Sequence, residues 1–216
     1  GVGLLLNGQL VHGGGAMAGE FGHVVMNDQG PLCRCGKRGC WEQYASGTAL
    51  VREARERARD LPEAGRTLLA FGDGTPEGID GPLLTRAAAA GDPLALACFA
   101  EVGRWLGQGI ADIVASFDPG VVVVGGGVSE AGDLLLGTAR TAFAAALVGA
   151  HHRPPPDLRL AALGNDAGLV GVADLSQPKA ATVAAEATGA GGRALPLACD
   201  VSRAADCERA IQATES

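Results

Sequence analysis

Apolar and polar positions along this chain change period several times, and each change marks an element. Gly3-Leu4-Leu5-Leu6 and Gln9-Leu10-Val11 flank Asn7-Gly8. An Asn-Gly pair between apolar runs predicts a hairpin, because both central residues of its turn need positive φ. Residues 12–40 show no periodicity and many glycines. A loop that long inside a compact domain calls for a function or a clamp. From Ser46 the pattern becomes helical, with Leu50, Val51, Ala54, Ala58 and Leu61 on one face and Arg and Glu on the other. Residues 62–82 are punctuated by Pro and Gly, which predicts a loop with at most short helices. Asp92-Pro93 reads as a cap and first helical residue. The stripe Phe99, Val102, Leu106, Ile110 and Ile113 then predicts a long buried helix over residues 93–115.

Val121–Val124 is a run of β-branched residues with no polar alternation, the mark of a strand covered on both faces in a parallel sheet. It enters Gly125-Gly126-Gly127 and a second helix around Leu134–Val148. Leu158–Leu163 reads as a short strand and Ala167–Leu175 as a helix, so the fold class is α/β, in layers. Composition shifts after Asp174, and residues 176–216 read as helix (Pro178–Gly189), strand (Ala194–Val201) and helix (Ala204–Ala213).

The 216 residues suffice to bury a core, and 47% apolar against 19% charged residues is the balance of a globular domain. A formal charge of −7 argues against a nucleic-acid partner, which would need a basic face. Apolar runs fall short of the roughly 18 residues that span a bilayer, so no membrane partner is expected. No basic segment precedes Leu4–Leu6, so no signal peptide is expected. Of the six cysteines, Cys33, Cys35 and Cys40 are clustered, whereas Cys98, Cys199 and Cys207 are scattered. A disulfide scaffold would be shorter and denser, so the pattern suggests a reducing, cytoplasmic setting and a metal cluster.

His23, Cys33, Cys35 and Cys40 offer one imidazole and three thiols in a loop that Gly36 and Gly39 allow to fold round a centre. That donor set matches a closed tetrahedral structural zinc site and is too soft for Mg2+ or Ca2+. Three incidental buried thiols, or a redox pair at Cys33 and Cys35, are the other readings. Glu20 and Glu42 bracket this loop. Held rigidly, two carboxylates would accept hydrogen bonds from the hydroxyls of a polyol. They could equally be solvated acids, or Glu20 could orient His23. Gly125–Gly127, between strand and helix, could let a nucleotide approach the backbone or be a tight turn only. No G-x-x-x-x-G-K-[ST] motif is present, so this is not a P-loop protein.

Ala18-Gly19-Glu20-Phe21-Gly22-His23, Cys33-Arg34-Cys35-Gly36, Gly39-Cys40-Trp41-Glu42-Gln43-Tyr44-Ala45-Ser46-Gly47 and Val123-Val124-Gly125-Gly126-Gly127-Val128-Ser129 together resemble the ROK family (repressor, open reading frame, kinase), in particular its bacterial ATP-dependent glucokinases. The resemblance covers roughly residues 1–175 and implies an actin-like ATPase (ribonuclease H-like) fold, of which this chain carries the C-terminal lobe, with residues 176–216 a short appended α/β segment. It implies His23, Cys33, Cys35 and Cys40 as ligands of a structural Zn2+. Glu20, His23 and Glu42 would hydrogen-bond the hydroxyls of glucose. Gly125, Gly126 and Gly127 would meet the adenosine of ATP, carried with Mg2+, and Gly1 and Gly3 would be the stub of a phosphate-contacting loop. The family's first phosphate loop and its catalytic aspartate fall upstream of Gly1, so no catalytic residue is assigned here, and little turnover is expected of this chain alone. Asn165-Asp166 resembles the family's C-terminal segment and not the catalytic pair.

Kinases for N-acetylglucosamine, N-acetylmannosamine or fructose, and the sugar-sensing domain of a ROK transcriptional repressor, remain alternatives on the same motifs. The family is usually oligomeric, which implies a homo-oligomer for an intact member. Residues 178–213, notably Gly191-Gly192-Arg193-Ala194-Leu195-Pro196-Leu197-Ala198-Cys199-Asp200-Val201, resemble a short-chain dehydrogenase segment. They lack its Gly-rich turn, and Tyr44 is followed four residues on by Thr48, not the lysine that the family's catalytic pair needs. A working dehydrogenase is therefore excluded.

Overall fold

The computed structural model describes residues 1–6, 9–161, 173–174 and 197–198. The chain divides into two compact units, Gly1–Glu20 with Ala162–Ser216, and Phe21–Ala161. In the first unit, β1 (Leu5–Leu6) pairs antiparallel with β2 (Gln9–Leu10), Leu6 opposite Gln9. This is the hairpin that Asn7-Gly8 predicts, although the turn itself lies outside the described residues.

The second unit is mainly helical. α1 (Gly47–Asp60) starts where Ser46 accepts a hydrogen bond from the Ala49 amide, as its capping position requires. α2 (Pro62–Leu69) is one of the short helices allowed for in residues 62–82; Pro62 is tolerated in its first turn, and Gly65 lets it close on Ala58 of α1. α3 (Gly81–Ala89) went unpredicted because Gly81-Pro82 looked like punctuation, yet Asp80 caps it through the Leu83 amide. α4 (Pro93–Phe117) is the expected long helix. Asp92, almost fully buried, caps it through the Ala95 amide and also accepts a hydrogen bond from Thr67. Leu50, Leu68, Ile79, Leu84 and Phe99, all at most 2% exposed, form the core between these helices.

β3 (Val121–Val124) pairs in parallel with β4 (Asp157–Leu160), and α5 (Asp133–Ala146) forms most of the crossover. α5 packs along α4 because Gly103 and Gly107 have no side chain; a Cβ on Gly107 would lie 2.7 Å from the Phe143 nitrogen. The expectation that β3 is covered on both faces is not met. Val121 and Val123 are 46% and 60% exposed, and Val122 and Val124 half-buried, as the pleat alternates them between two faces.

The strand expected at Leu158–Leu163 runs over Asp157–Leu160, and the helix expected at Ala167–Leu175 is corrected at Ala173–Asp174. Those two residues are a strand, β5, paired in parallel with β6 (Leu197–Ala198), so backbone pairing overrides the helical period there. The remainder of that helix, those expected at Pro178–Gly189 and Ala204–Ala213, and Asn165-Asp166 lie outside the described residues. Among the described residues no single helix is long and apolar enough to cross a membrane.

Candidate metal centre

The loop without periodicity is closed on itself by its backbone. The Trp41 amide donates to the Val24 carbonyl, the Met26 amide to Gly39, and the Gly39 amide to Pro31, each at 2.8 Å. Two glycines make this path possible. Gly36 (φ +91°) follows the turn in which its amide donates to the Cys33 carbonyl, and Gly39 (φ +66°) crosses so close to Asn27 that a Cβ would overlap the Asn27 carbonyl.

This folding brings His23, Cys33, Cys35 and Cys40 together, one donor atom of each within 4.8 Å of every other. Cys33 Sγ lies 3.5 Å from His23 Nδ1, and Cys35 Sγ lies 3.5 Å from Cys40 Sγ. A tetrahedral ion with Zn–S bonds of about 2.3 Å sets neighbouring sulfurs about 3.8 Å apart, so the cluster has the size and chemistry that zinc needs. All three thiols are free, which agrees better with ligation than with a disulfide. Cys33 and Cys40 are buried, and Cys35 is exposed.

The thiols differ in acidity. The Lys37 backbone N–H, against the effect of burial, holds Cys35 below the ordinary thiol value. Cys33 feels a lowering from the Cys35 backbone N–H, but the Glu42 carboxylate, burial and the neighbouring thiols push it up to about 12. Cys40 is raised, chiefly by burial. A bound divalent cation would deprotonate all three thiols outright and override these differences.

Glu42 stands at the edge of the cluster. Its Oε1 accepts from Cys33 Sγ at 3.0 Å and lies 3.8 Å from His23 Nδ1. The other predicted carboxylate, Glu20, opens the one-turn 310 helix Glu20–His23 and belongs to the first unit. Gly1 and Gly3 also belong to that unit. Gly125–Gly127 leave β3 and enter the 310 turn Gly127–Ala131, with Gly126 at φ +92° and accepting from Ser129 Oγ at 2.7 Å.

Two aromatic residues that flank Glu42 were given no role from the sequence. Trp41 is buried, its indole N–H donates to the Trp105 carbonyl of α4 at 2.8 Å, and its ring occupies the space above Gly109. Tyr44 stacks on Trp105 at 4.5 Å between ring centroids. The available signal was Gly109 itself, an unfavourable residue in the interior of a long apolar helix.

The model of the ROK family matches residues 1–179. A glucokinase from Streptomyces coelicolor is 49% identical over 177 residues, 82% of this chain and 56% of that protein. An N-acetylmannosamine kinase from Escherichia coli is 33% identical over 183 residues, 82% of this chain and 53% of that protein. The crystal structure of a ROK family glucokinase from Streptomyces griseus, in complex with glucose and AMPPNP, superposes with a TM-score of 0.75 at 44% identity, over 85% of this chain and 56% of that one. The chain thus spans about half the length of the relatives it matches. The resemblance of residues 178–213 to a dehydrogenase is not borne out by these comparisons.

Proposed function

The chain belongs to the ROK family, and on that premise we propose that it is the sugar-holding part of an ATP-dependent glucokinase. The observation that carries the reading is the convergence of the four donors with the Glu42 carboxylate against two of them. His23, Cys33, Cys35 and Cys40 would hold zinc, which when bound supplies a fixed cross-link in place of loop entropy. Glu42 and His23, and by resemblance Glu20, would then meet the hydroxyls of glucose. In the whole protein, O6 of the sugar would form a bond to the γ-phosphorus of Mg-ATP as the bond to ADP breaks. The hydroxyl proton would pass to the aspartate base that the resemblance places upstream. Gly125–Gly127 would receive the adenosine, and Gly1 and Gly3 would stand near its phosphates. We assign residues 1–175 to this lobe and residues 176–216 to an appended segment.

Phosphoryl transfer depends mainly on positioning and charge stabilisation, so sugar-holding residues contribute by fixing O6. Calorimetric titration of the zinc-loaded chain with glucose, N-acetylglucosamine, N-acetylmannosamine and fructose tests the reading, and glucose should bind tightest. Preference for N-acetylmannosamine would favour the second reading, which the 33% relative supports. Binding of none of these sugars would overturn both.

A further inference from the structure

We propose that Trp41, seated on Gly109 and hydrogen-bonded to the Trp105 carbonyl, is a positioning residue that aims the Glu42 carboxylate by anchoring it to α4, independently of the metal. The inference rests on the sugar-site reading above and adds a second fixed point to it. Trp41 lies between Cys40, a metal ligand, and Glu42, in the 310 turn Trp41–Gln43. One end of that turn is tied to the metal loop, since the Trp41 amide donates to the Val24 carbonyl. The Cys33 thiol that donates to Glu42 Oε1 loses its proton once it ligates a cation, so with the metal bound the carboxylate needs another support.

Three contacts to α4 supply it. The Trp41 indole bonds a helical carbonyl 64 residues away at 2.8 Å. Its ring fills the space where any side chain at residue 109 would stand, with Cζ2 at 2.5 Å from a Cβ built there. Tyr44, three residues on, stacks against Trp105 of the same helical turn. Glu42, between these two aromatic anchors, keeps its side chain 39% exposed. A glycine inside a helix costs stability relative to alanine by about 1 kcal/mol. At residue 109 the seating of Trp41 gives that cost a purpose.

The test uses Gly109→Ala, Trp41→Leu and the double variant, each compared with the unaltered chain for zinc content by elemental analysis and glucose affinity by calorimetry. Gly109→Ala should keep one zinc per chain and bind glucose about tenfold more weakly, the loss expected for one hydrogen bond to a charged acceptor. Trp41→Leu on its own should also weaken glucose. Adding it to Gly109→Ala makes room for the methyl group, so the double variant should bind no more weakly than Trp41→Leu alone. Unaltered glucose affinity in Gly109→Ala, or loss of zinc together with glucose, overturns the inference. If the parent chain binds no hexose, the sugar reading fails by itself. The positioning claim is then read from the 13C resonance of the Glu42 carboxyl, which must shift in Gly109→Ala and return towards its Trp41→Leu position in the double variant. An unmoved resonance overturns it.

Discussion

At the scale of single residues, the candidate site depends on a few backbone and donor choices that tolerate little change. Cys35 is the exposed member of the proposed donor set and the one whose thiol is held below its ordinary value, so it would be the first contact for an arriving cation. Cys35→Ser should lower zinc retention and weaken glucose binding together, because residues 23–40 lose their cross-link; full sugar affinity in a variant shown to lack zinc would contradict this. Cys98 behaves differently: it is fully buried among core side chains and pushed up to about 12 by burial, which makes it inert packing material. The convergence of the four candidate donors was legible in the sequence because their spacing is local and their chemistry is distinctive. The role of Trp41 was not, since its partners on α4 are separated from it by 64 residues of chain, and only Gly109 hinted at them.

Among the elements, the helical packing rests on close approach. Gly107→Ala would force α4 from α5, whose Phe143 nitrogen would stand 2.7 Å from the new carbon. Overpacking of this kind should destabilise the unit by roughly 1–3 kcal/mol, read as a lower denaturation midpoint with unchanged slope. An unaltered midpoint would show that the helices can part without loss. Glu101 gives a pH signature on α4. The Arg104 guanidinium beside it, aided by the Trp105 indole and opposed by partial burial, holds its carboxyl below the usual range. A lowered folded-state pKa means stability present above the ordinary carboxylate pKa and lost as pH falls towards the folded value. Glu101→Gln should therefore flatten the acid limb of the stability profile modestly, since the pair is partly solvated. An acid limb of the same steepness in the variant would refute the assignment. α4 was readable from its cap and stripe. α3 was hidden because glycine and proline signal both a turn and the first turn of a helix, and only tertiary packing decides between them. The exposure of Val121 and Val123 was illegible for a similar reason: a valine run specifies a strand and says nothing of how many layers cover it.

At the scale of the whole chain, the order of contacts along the sequence has a consequence for synthesis. The separation between His23 and Cys40 is 17 residues, whereas the anchor of Trp41 needs a carbonyl 64 residues further on. A short loop closes at lower entropic cost than a long one, so the four candidate donors can gather while most of α4 is still being translated. A peptide of residues 20–46 should therefore take up cobalt(II) with thiolate charge-transfer absorption, and a peptide that stays colourless would reverse the proposed order. The growing polypeptide would thus capture its ion first and learn afterwards, when the distant helix arrives, in which direction to present its acid.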